Sequence, residues 1–204
     1  METKERILVK SHEQFNRFGI RSVSMDDIAA ALGMSKKTLY QHFADKEELV
    51  SACFLQVMDH NRHQCLLDQK RAENPIHEIF LSYDMMQEVF TNMNPVVLYE
   101  MEKYHPAAFK KFHEFKYGFL YKMIVSNLER GMEEELYRPD IDVDVIARFR
   151  IESVMLPFNV DVFPDNRTQL IHIEQQLFEH FLYGLATPKG QKLIQKYKTQ
   201  RTKK

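Results

Sequence analysis

Residues 23–43, VSMDDIAAALGMSKKTLYQHF, constrain the fold of this chain more than any other stretch. Ser24 is a residue type that caps helix N-termini, and two aspartates follow it, where carboxylates suit the positive end of the helix dipole. Gly33 stands where a helix commonly ends in a left-handed residue, and Ser35 can cap a second helix. The stretch therefore predicts two short helices that meet at an angle around a shared apolar core.

The second of these helices leaves a basic and polar face outside that core. Leu39 and Phe43 return to the core at helical spacing. The side chains between them end in cationic or hydrogen-bonding groups, which is the set that contacts phosphates and base edges in a major groove. The residues expected to bind DNA are Ser24, Ser35, Lys36, Lys37, Thr38, Tyr40, Gln41, His42 and Lys46. The lysines would contact phosphates, and the other residues of the second helix would be divided between base edges and the DNA backbone.

This region resembles the DNA-binding signature of the TetR family of bacterial transcriptional regulators. The resemblance is carried, at unbroken spacing, by Ile28-Ala29, Leu32-Gly33, Ser35, Thr38-Leu39-Tyr40, His42-Phe43 and Lys46-Glu47-Glu48-Leu49. It covers the amino-terminal part of the chain up to Leu49. Lys37 is a departure, because the family often has a small residue there, so the contact pattern at the front of this helix is open.

The resemblance implies an all-α fold with two domains. Residues 1–47 would form a three-helix helix-turn-helix DNA-binding domain, completed by a first helix over residues 2–18. Residues 48–204 would form a larger helical effector and dimerisation domain. The implied function is that of a homodimeric repressor on a pseudo-palindromic operator in double-stranded DNA, with half-sites about 34–36 Å apart, released by a small-molecule effector. The helix that begins at Lys46 would tilt when the effector binds.

Composition limits the other possibilities. With 28 basic and 29 acidic side chains the net charge is -1, so any DNA contact must be locally concentrated. A hydrophobic content of 44% is enough for a core. Two cysteines and an amino terminus without an apolar segment predict a cytoplasmic protein. No apolar run approaches the ~20 residues that cross a bilayer, so we expect no membrane contact.

Beyond the signature, Pro residues divide the chain into predicted helices over residues 76–91, 97–105, 107–135 and 143–160, the last kinked or shortened by Pro157. Methionine and aromatic side chains recur on these helices. They belong to a core first, but together they can also form an adaptable pocket for a largely apolar ligand. The expected pocket residues are Met86, Phe90, Met101, Tyr104, Phe112, Phe115, Phe119, Met123 and Arg150. Arg150 has an alternative role as the partner of a nearby carboxylate.

The last predicted long helix has an apolar face that is too wide for one neighbour. A second subunit is the simplest additional partner. The expected dimer interface consists of Phe149, Met155, Leu170, Ile173, Leu177, Phe181 and Leu185. The alternative is that this face is covered within one chain. The basic residues that follow Glu179, among them Lys203 and Lys204, are expected to form a frayed, solvated helix end.

Two other classes of function stay open. A helix-turn-helix can serve protein contacts, and an all-α enzyme would need a nucleophile with a base, a carboxylate pair or a metal. No such catalytic spacing is recognisable in the sequence. His60, His63 and Cys65 lie close together, but they lack the tight spacing of a metal site. We therefore predict no catalytic residue, no bound metal and no cofactor.

Overall fold

The computed structural model describes residues 2–164 and 166–201, and within them it contains eleven α-helices and no strand. Lys203 and Lys204, from the expected solvated end, lie outside these residues. The helices are α1 Thr3–Phe18, α2 Met25–Ala31, α3 Lys36–His42, α4 Lys46–Arg71, α5 Pro75–Asn92, α6 Val96–Tyr104, α7 Pro106–Glu114, α8 Tyr121–Glu133, α9 Val143–Met155, α10 Asn166–Leu185 and α11 Pro188–Arg201. The all-α prediction is confirmed.

The interruptions follow local chemistry. The long helix predicted over residues 107–135 is α7 and α8 joined by a π-helical turn at Phe115–Leu120. Pro157 shortens α9 as predicted, because the helix ends at Met155 and a 3-10 turn, Leu156–Phe158, follows it. After α8, the amides of Leu136 and Tyr137 both donate to the Gly131 carbonyl, at 2.8 and 2.9 Å.

The expectation of a frayed, solvated end was wrong for the described part of this segment. α11 is a separate helix that starts at Pro188, and the hydroxyl of Thr187 caps it by accepting from the amide of Gly190 at 3.1 Å. Ile194 and Tyr197 of α11 are buried. The basic helix α11 is therefore held in place by its apolar side. That side covers part of the wide apolar face of α10, for which the sequence predicted an additional partner.

The chain forms two compact units. Unit 1 contains the chain up to Arg62 together with Asn92–Phe115, and unit 2 contains His63–Thr91 and the chain from Lys116 onward. The predicted boundary after residue 47 does not coincide with these units, because α4 runs through that position unbroken.

Each unit has its own core. In unit 1, α1 contributes Ile7 and Phe15, and α2 and α3 contribute Ile28 and Leu39, all fully buried. In unit 2, side chains of α5, α8, α10 and α11 pack into one apolar cluster. No helix among the described residues is both long enough and apolar enough to span a bilayer.

Candidate DNA-binding interface

The start of α2 is fixed by a capping box at Ser24. The amide of Asp27 donates to the Ser24 hydroxyl at 3.2 Å, and the amide of Ser24 donates to the Asp27 carboxylate at 2.8 Å. These bonds satisfy amides that a helix start otherwise leaves without partners. Hydrogen bonds from Ser24 also lower the pKa of the Asp27 carboxyl. Ser24 therefore has a structural role, whatever it contacts on DNA.

The corner between α2 and α3 depends on backbone conformation. Gly33 has a φ of 65°, and a Cβ placed there would meet no atom within 4 Å. Glycine is thus required for the left-handed conformation and not for space. The amide of Met34 donates to the Ala29 carbonyl at 3.0 Å, which closes the end of α2. This local geometry sets the direction in which α3 leaves the corner.

α3 is capped by Ser35, as the sequence predicts. The amide of Thr38 donates to the Ser35 hydroxyl at 3.1 Å, and the two hydroxyls lie 2.8 Å apart. Leu39 is fully buried and holds the helix on the core. Because the hydroxyls of Ser35 and Thr38 bond each other, their first role is to define the start of α3.

Three other side chains of α3 project outward. Tyr40 is 48% exposed, and Lys37 and Gln41 are exposed as well. None of the three has a hydrogen bond or an ion pair among the described residues. A cation, a phenol and an amide with unused polar ends therefore stand together on one short helix, which is the chemistry that direct readout requires.

The remaining predicted cations are less available. Lys36 forms an ion pair with Asp26 of α2, and this hydrogen bond raises the pKa of the lysine. Lys46 is partly buried, which lowers its pKa, and its ammonium donates to the Arg21 carbonyl at 3.4 Å. His42 is half-buried at the end of α3. Of the three predicted phosphate contacts, only Lys37 has an ammonium with neither a hydrogen-bond nor an ion-pair partner within the described residues.

A contact between the α1–α2 turn and α6, both in unit 1, is not predictable from the sequence pattern. The Arg21 amide donates to the Glu100 carboxylate at 2.9 Å. The Arg21 guanidinium lies 5.2 Å from the centre of the Tyr104 ring and donates to the Tyr104 hydroxyl at 3.3 Å. A second contact joins α4 to the end of α6, where His105 Nδ1 lies 2.5 Å from Glu47 Oε2. We call these five residues the α6 contact. No local sequence signal marks it, because its members are far apart in the chain.

The predicted pocket residues are divided between the units. In unit 1, Met101 and Phe115 are buried, Phe112 is half-buried, and Tyr104 lies at the surface in the α6 contact. The unit 2 residues Met86, Phe119 and Met123 are half-buried, and Phe90 is buried with its ring edge-on to Phe158 at 4.9 Å. Arg150 is buried beside Glu174, which is the alternative that the sequence left open.

The predicted interface residues fall into two groups. Leu170, Ile173, Phe181 and Leu185 are buried within the single chain, so they do not offer a free surface. The physical reason is that the apolar arc of α10 also faces the core of unit 2, to which Phe181 and Leu185 belong. Met155 and Leu177 are half-buried, whereas Phe149 is 47% exposed. Exposed apolar side chains also include Val145 on α9 and Ile171 on α10.

The histidine and cysteine residues on α4 do not converge. His60 and His63 are exposed, whereas Cys65 is buried, and burial raises the pKa of its thiol to about 11. No group of three or more metal-ligating side chains that could hold an ion occurs in the part of the chain that the structure describes.

A capped helix pair on a three-helix core, with exposed polar ends on its second helix, defines a helix-turn-helix DNA-binding protein. Residues 7–53 match the model of bacterial regulatory proteins of the tetR family. The chain is 31% identical over 140 residues to the HTH-type transcriptional repressor KstR2 of Mycobacterium tuberculosis, covering 66% of this chain and 69% of that protein. The chain belongs to the tetR family, and it is a DNA-binding transcriptional regulator.

Solved structures share the fold over nearly the whole chain. The ketosteroid transcriptional regulator KstR2 of Mycobacterium tuberculosis has a TM-score of 0.62 at 22% identity, covering 91% of this chain and 96% of that one. A transcriptional regulator from Saccharomonospora viridis, in complex with choline, has a TM-score of 0.75 at 17% identity, covering 90% and 97%. At these identities the likeness shows the all-α architecture, with its helix-turn-helix and larger helical part.

Proposed function

We propose that this regulator represses transcription as a homodimer on a pseudo-palindromic operator and leaves it when a small, largely apolar ligand binds. The observation that carries the DNA-binding part is the outer face of α3, where Lys37, Tyr40 and Gln41 have unused polar ends. Lys37 would contact phosphate, and Gln41 and Tyr40 would contact base edges or backbone. Half-sites one helical turn apart, about 34–36 Å, would place both copies of α3 in successive major grooves.

The α6 contact supports a route for release. Unit 1 holds α6 and the three amino-terminal helices in one compact body. Glu100 holds the turn that precedes α2, and His105 holds the first turn of α4 through Glu47. A ligand that favours a different position of α6 would therefore shift Ser24 and Lys46 relative to DNA. Such release needs only a difference in ligand affinity between the two conformations.

Two similar regulators support a small organic ligand. One is described as a ketosteroid regulator and another is in complex with choline. Half-buried methionine and aromatic side chains on several helices of this chain suit an adaptable apolar site. Exposed Val145 and Phe149 on α9 support a second subunit as their partner.

The DNA-binding part is tested with duplexes selected from a random library by the full-length protein. Lys37→Ala should reduce the slope of log affinity against log salt by about 2, because each phosphate contact contributes about 0.9 and both subunits lose one. Gln41→Ala should leave the slope unchanged and lose about 1–3 kcal/mol of preference for the selected sequence at each of the two half-sites. Lys110→Ala on α7, another exposed lysine, is the matched control.

Equal DNA retention by all three variants and the unsubstituted protein would contradict the proposal. It would favour the alternative in which the helix-turn-helix serves protein contacts. A selected sequence without two-fold symmetry would contradict the dimeric arrangement.

A further inference from the structure

Unit 2 contains a buried ion pair that no part of the DNA-binding interface uses. Arg150 on α9 is 8% exposed and Glu174 on α10 is 1% exposed. Arg150 Nη2 lies 3.4 Å from Glu174 Oε1. Charge-assisted hydrogen bonds of this type are usually about 2.7–2.9 Å long, so the pair is joined by one long contact.

One polar atom of each partner has no hydrogen bond. Arg150 Nη1 and Glu174 Oε2 are screened from solvent, and neither has a hydrogen-bond partner among the described residues. Removing charged groups from water is costly unless further hydrogen bonds satisfy their remaining donors and acceptors. The pair therefore holds one unused donor on Arg150 and one unused acceptor on Glu174, its directly contacting partner.

The surroundings of the pair are mainly aromatic. The Arg150 guanidinium lies 5.7 Å from the ring centre of Phe178 and 5.1 Å from that of Phe181. Tyr83 stacks on Phe178 at 3.9 Å, and its hydroxyl already accepts from Gln87 at 2.8 Å. The nearby Ser153 hydroxyl donates to the Arg150 carbonyl at 2.9 Å. Neither hydroxyl forms a hydrogen bond with Arg150 Nη1 or Glu174 Oε2 in this structure, so both atoms stay available to a group from outside the chain.

We infer that Arg150 and Glu174 form the polar recognition point of the effector site, for an apolar molecule ending in a neutral hydroxyl or primary amide. This inference rests on the proposed ligand response. Such a group accepts from Arg150 Nη1 and donates to Glu174 Oε2 at the same time. A carboxylate ligand would be repelled by Glu174, and an ammonium ligand by Arg150.

The pair is closed in this structure, because solvent reaches neither unused atom. A ligand therefore binds a conformation in which the aromatic side chains around the pair have moved. The hydrogen bonds that it completes favour that conformation over the closed one. The same atoms that are unsatisfied in the closed state thus supply the difference in affinity that a ligand-driven switch needs.

The test uses octanol, octanamide, octanoate and octylammonium as matched probes on the full-length protein. Binding is measured from the shift of the melting temperature and from release of a fluorescent selected duplex, at pH 8. Octanol and octanamide should bind at least about tenfold more tightly than the two charged probes, an amount that corresponds to one satisfied polar contact. Arg150→Met and Glu174→Met should each lose this preference.

A single substitution can unfold the protein by leaving a buried charge alone, so a double variant is included. Arg150→Met with Glu174→Leu replaces the pair by apolar side chains, and it should bind the four probes without the tenfold preference. Arg138→Met, which breaks the exposed Arg138–Asp140 ion pair in unit 2, is the matched control and should keep the preference.

The inference is overturned if the double variant keeps the preference, if the charged probes bind as tightly as the neutral ones, or if neither neutral probe binds. Any of these results leaves the operator measurements with Lys37→Ala and Gln41→Ala intact, so they do not affect the proposed DNA binding. Failure of selected duplexes to bind the protein would instead contradict the proposed function itself.

Discussion

Replacing Glu174 by glutamine should remove a pH dependence of folding stability that the unsubstituted protein has near neutrality. Burial raises the pKa of the Glu174 carboxyl from 4.5 to about 7, against the opposing effect of Arg150. A raised pKa in the folded state means that the folded protein binds the proton more tightly than the unfolded chain does. The stabilisation is therefore fully present below the unfolded pKa of 4.5 and is lost as the pH rises through about 7.

The size of the effect follows from the shift. Each pH unit between the two pKa values is worth about 1.4 kcal/mol, so the full loss is about 3 kcal/mol. His12 makes an opposite contribution to the pH dependence of stability. Burial lowers the pKa of its imidazole, so its protonation at acidic pH destabilises the fold. The contribution of His12 cancels when the variant is compared with the unsubstituted protein at each pH.

The measurement is urea unfolding at pH 5, 6, 7 and 8, with the protein at one concentration because the stability of the proposed dimer would depend on concentration. Because part of the loss occurs below pH 5, we expect the stability difference between the two proteins to change by about 2.5 kcal/mol across this range, in favour of the variant at high pH. Glu179→Gln removes a partly exposed carboxylate from the same helix and serves as the control. If the free energies of unfolding of the Glu174→Gln variant and the unsubstituted protein change in parallel with pH, the reasoning is refuted.

Two further predictions concern the α6 contact and the dimer. Glu100→Leu removes the acceptor of the Arg21 amide, and hydrogen exchange of that amide should become about tenfold faster, whereas Glu102→Leu on the same helix should leave it unchanged. Unchanged exchange in the Glu100 variant would contradict the contact. Phe149→Glu should weaken dimerisation by about tenfold or more in sedimentation experiments, since burying such a ring contributes about 1.5–3 kcal/mol. Leu67→Glu, at another exposed apolar position, should leave dimerisation unchanged. Equal dimer dissociation constants for the Phe149→Glu variant and the unsubstituted protein would show that α9 does not belong to the interface.

The parts of the structure that the sequence predicted are those whose interactions are local. Ser24 and Ser35 cap helices through amides three residues away, and Gly33 has the positive φ that its position in the motif indicates. These contacts depend on residue type and spacing along one turn, so they can be read without knowing the rest of the fold.

Other features depend on contacts between distant parts of the chain. Arg21 and Glu100 are separated by 79 residues, and no periodicity connects them. The sequence likewise does not show which lysines are free to contact DNA. The ion pair of Lys36 with Asp26, for example, depends on the angle between α2 and α3. The start of α11 is different, since Thr187 followed by Pro188 is a local signal of a helix N-terminus, although the helix itself was not predicted.

The charge pattern gives a physical reason for the proposed second subunit. The net charge is -1, and within the described residues Lys37 is the only one of the three predicted phosphate-binding lysines without an internal partner. One copy of α3 therefore has few unpaired charges with which to hold DNA. In a dimer, the second copy of α3 binds at a high effective concentration once the first copy is bound. The overall affinity for DNA is then much higher than that of one copy. In the proposed dimer, a ligand that changes the spacing of the two copies would remove this gain without breaking any single contact, so a small displacement would release the operator.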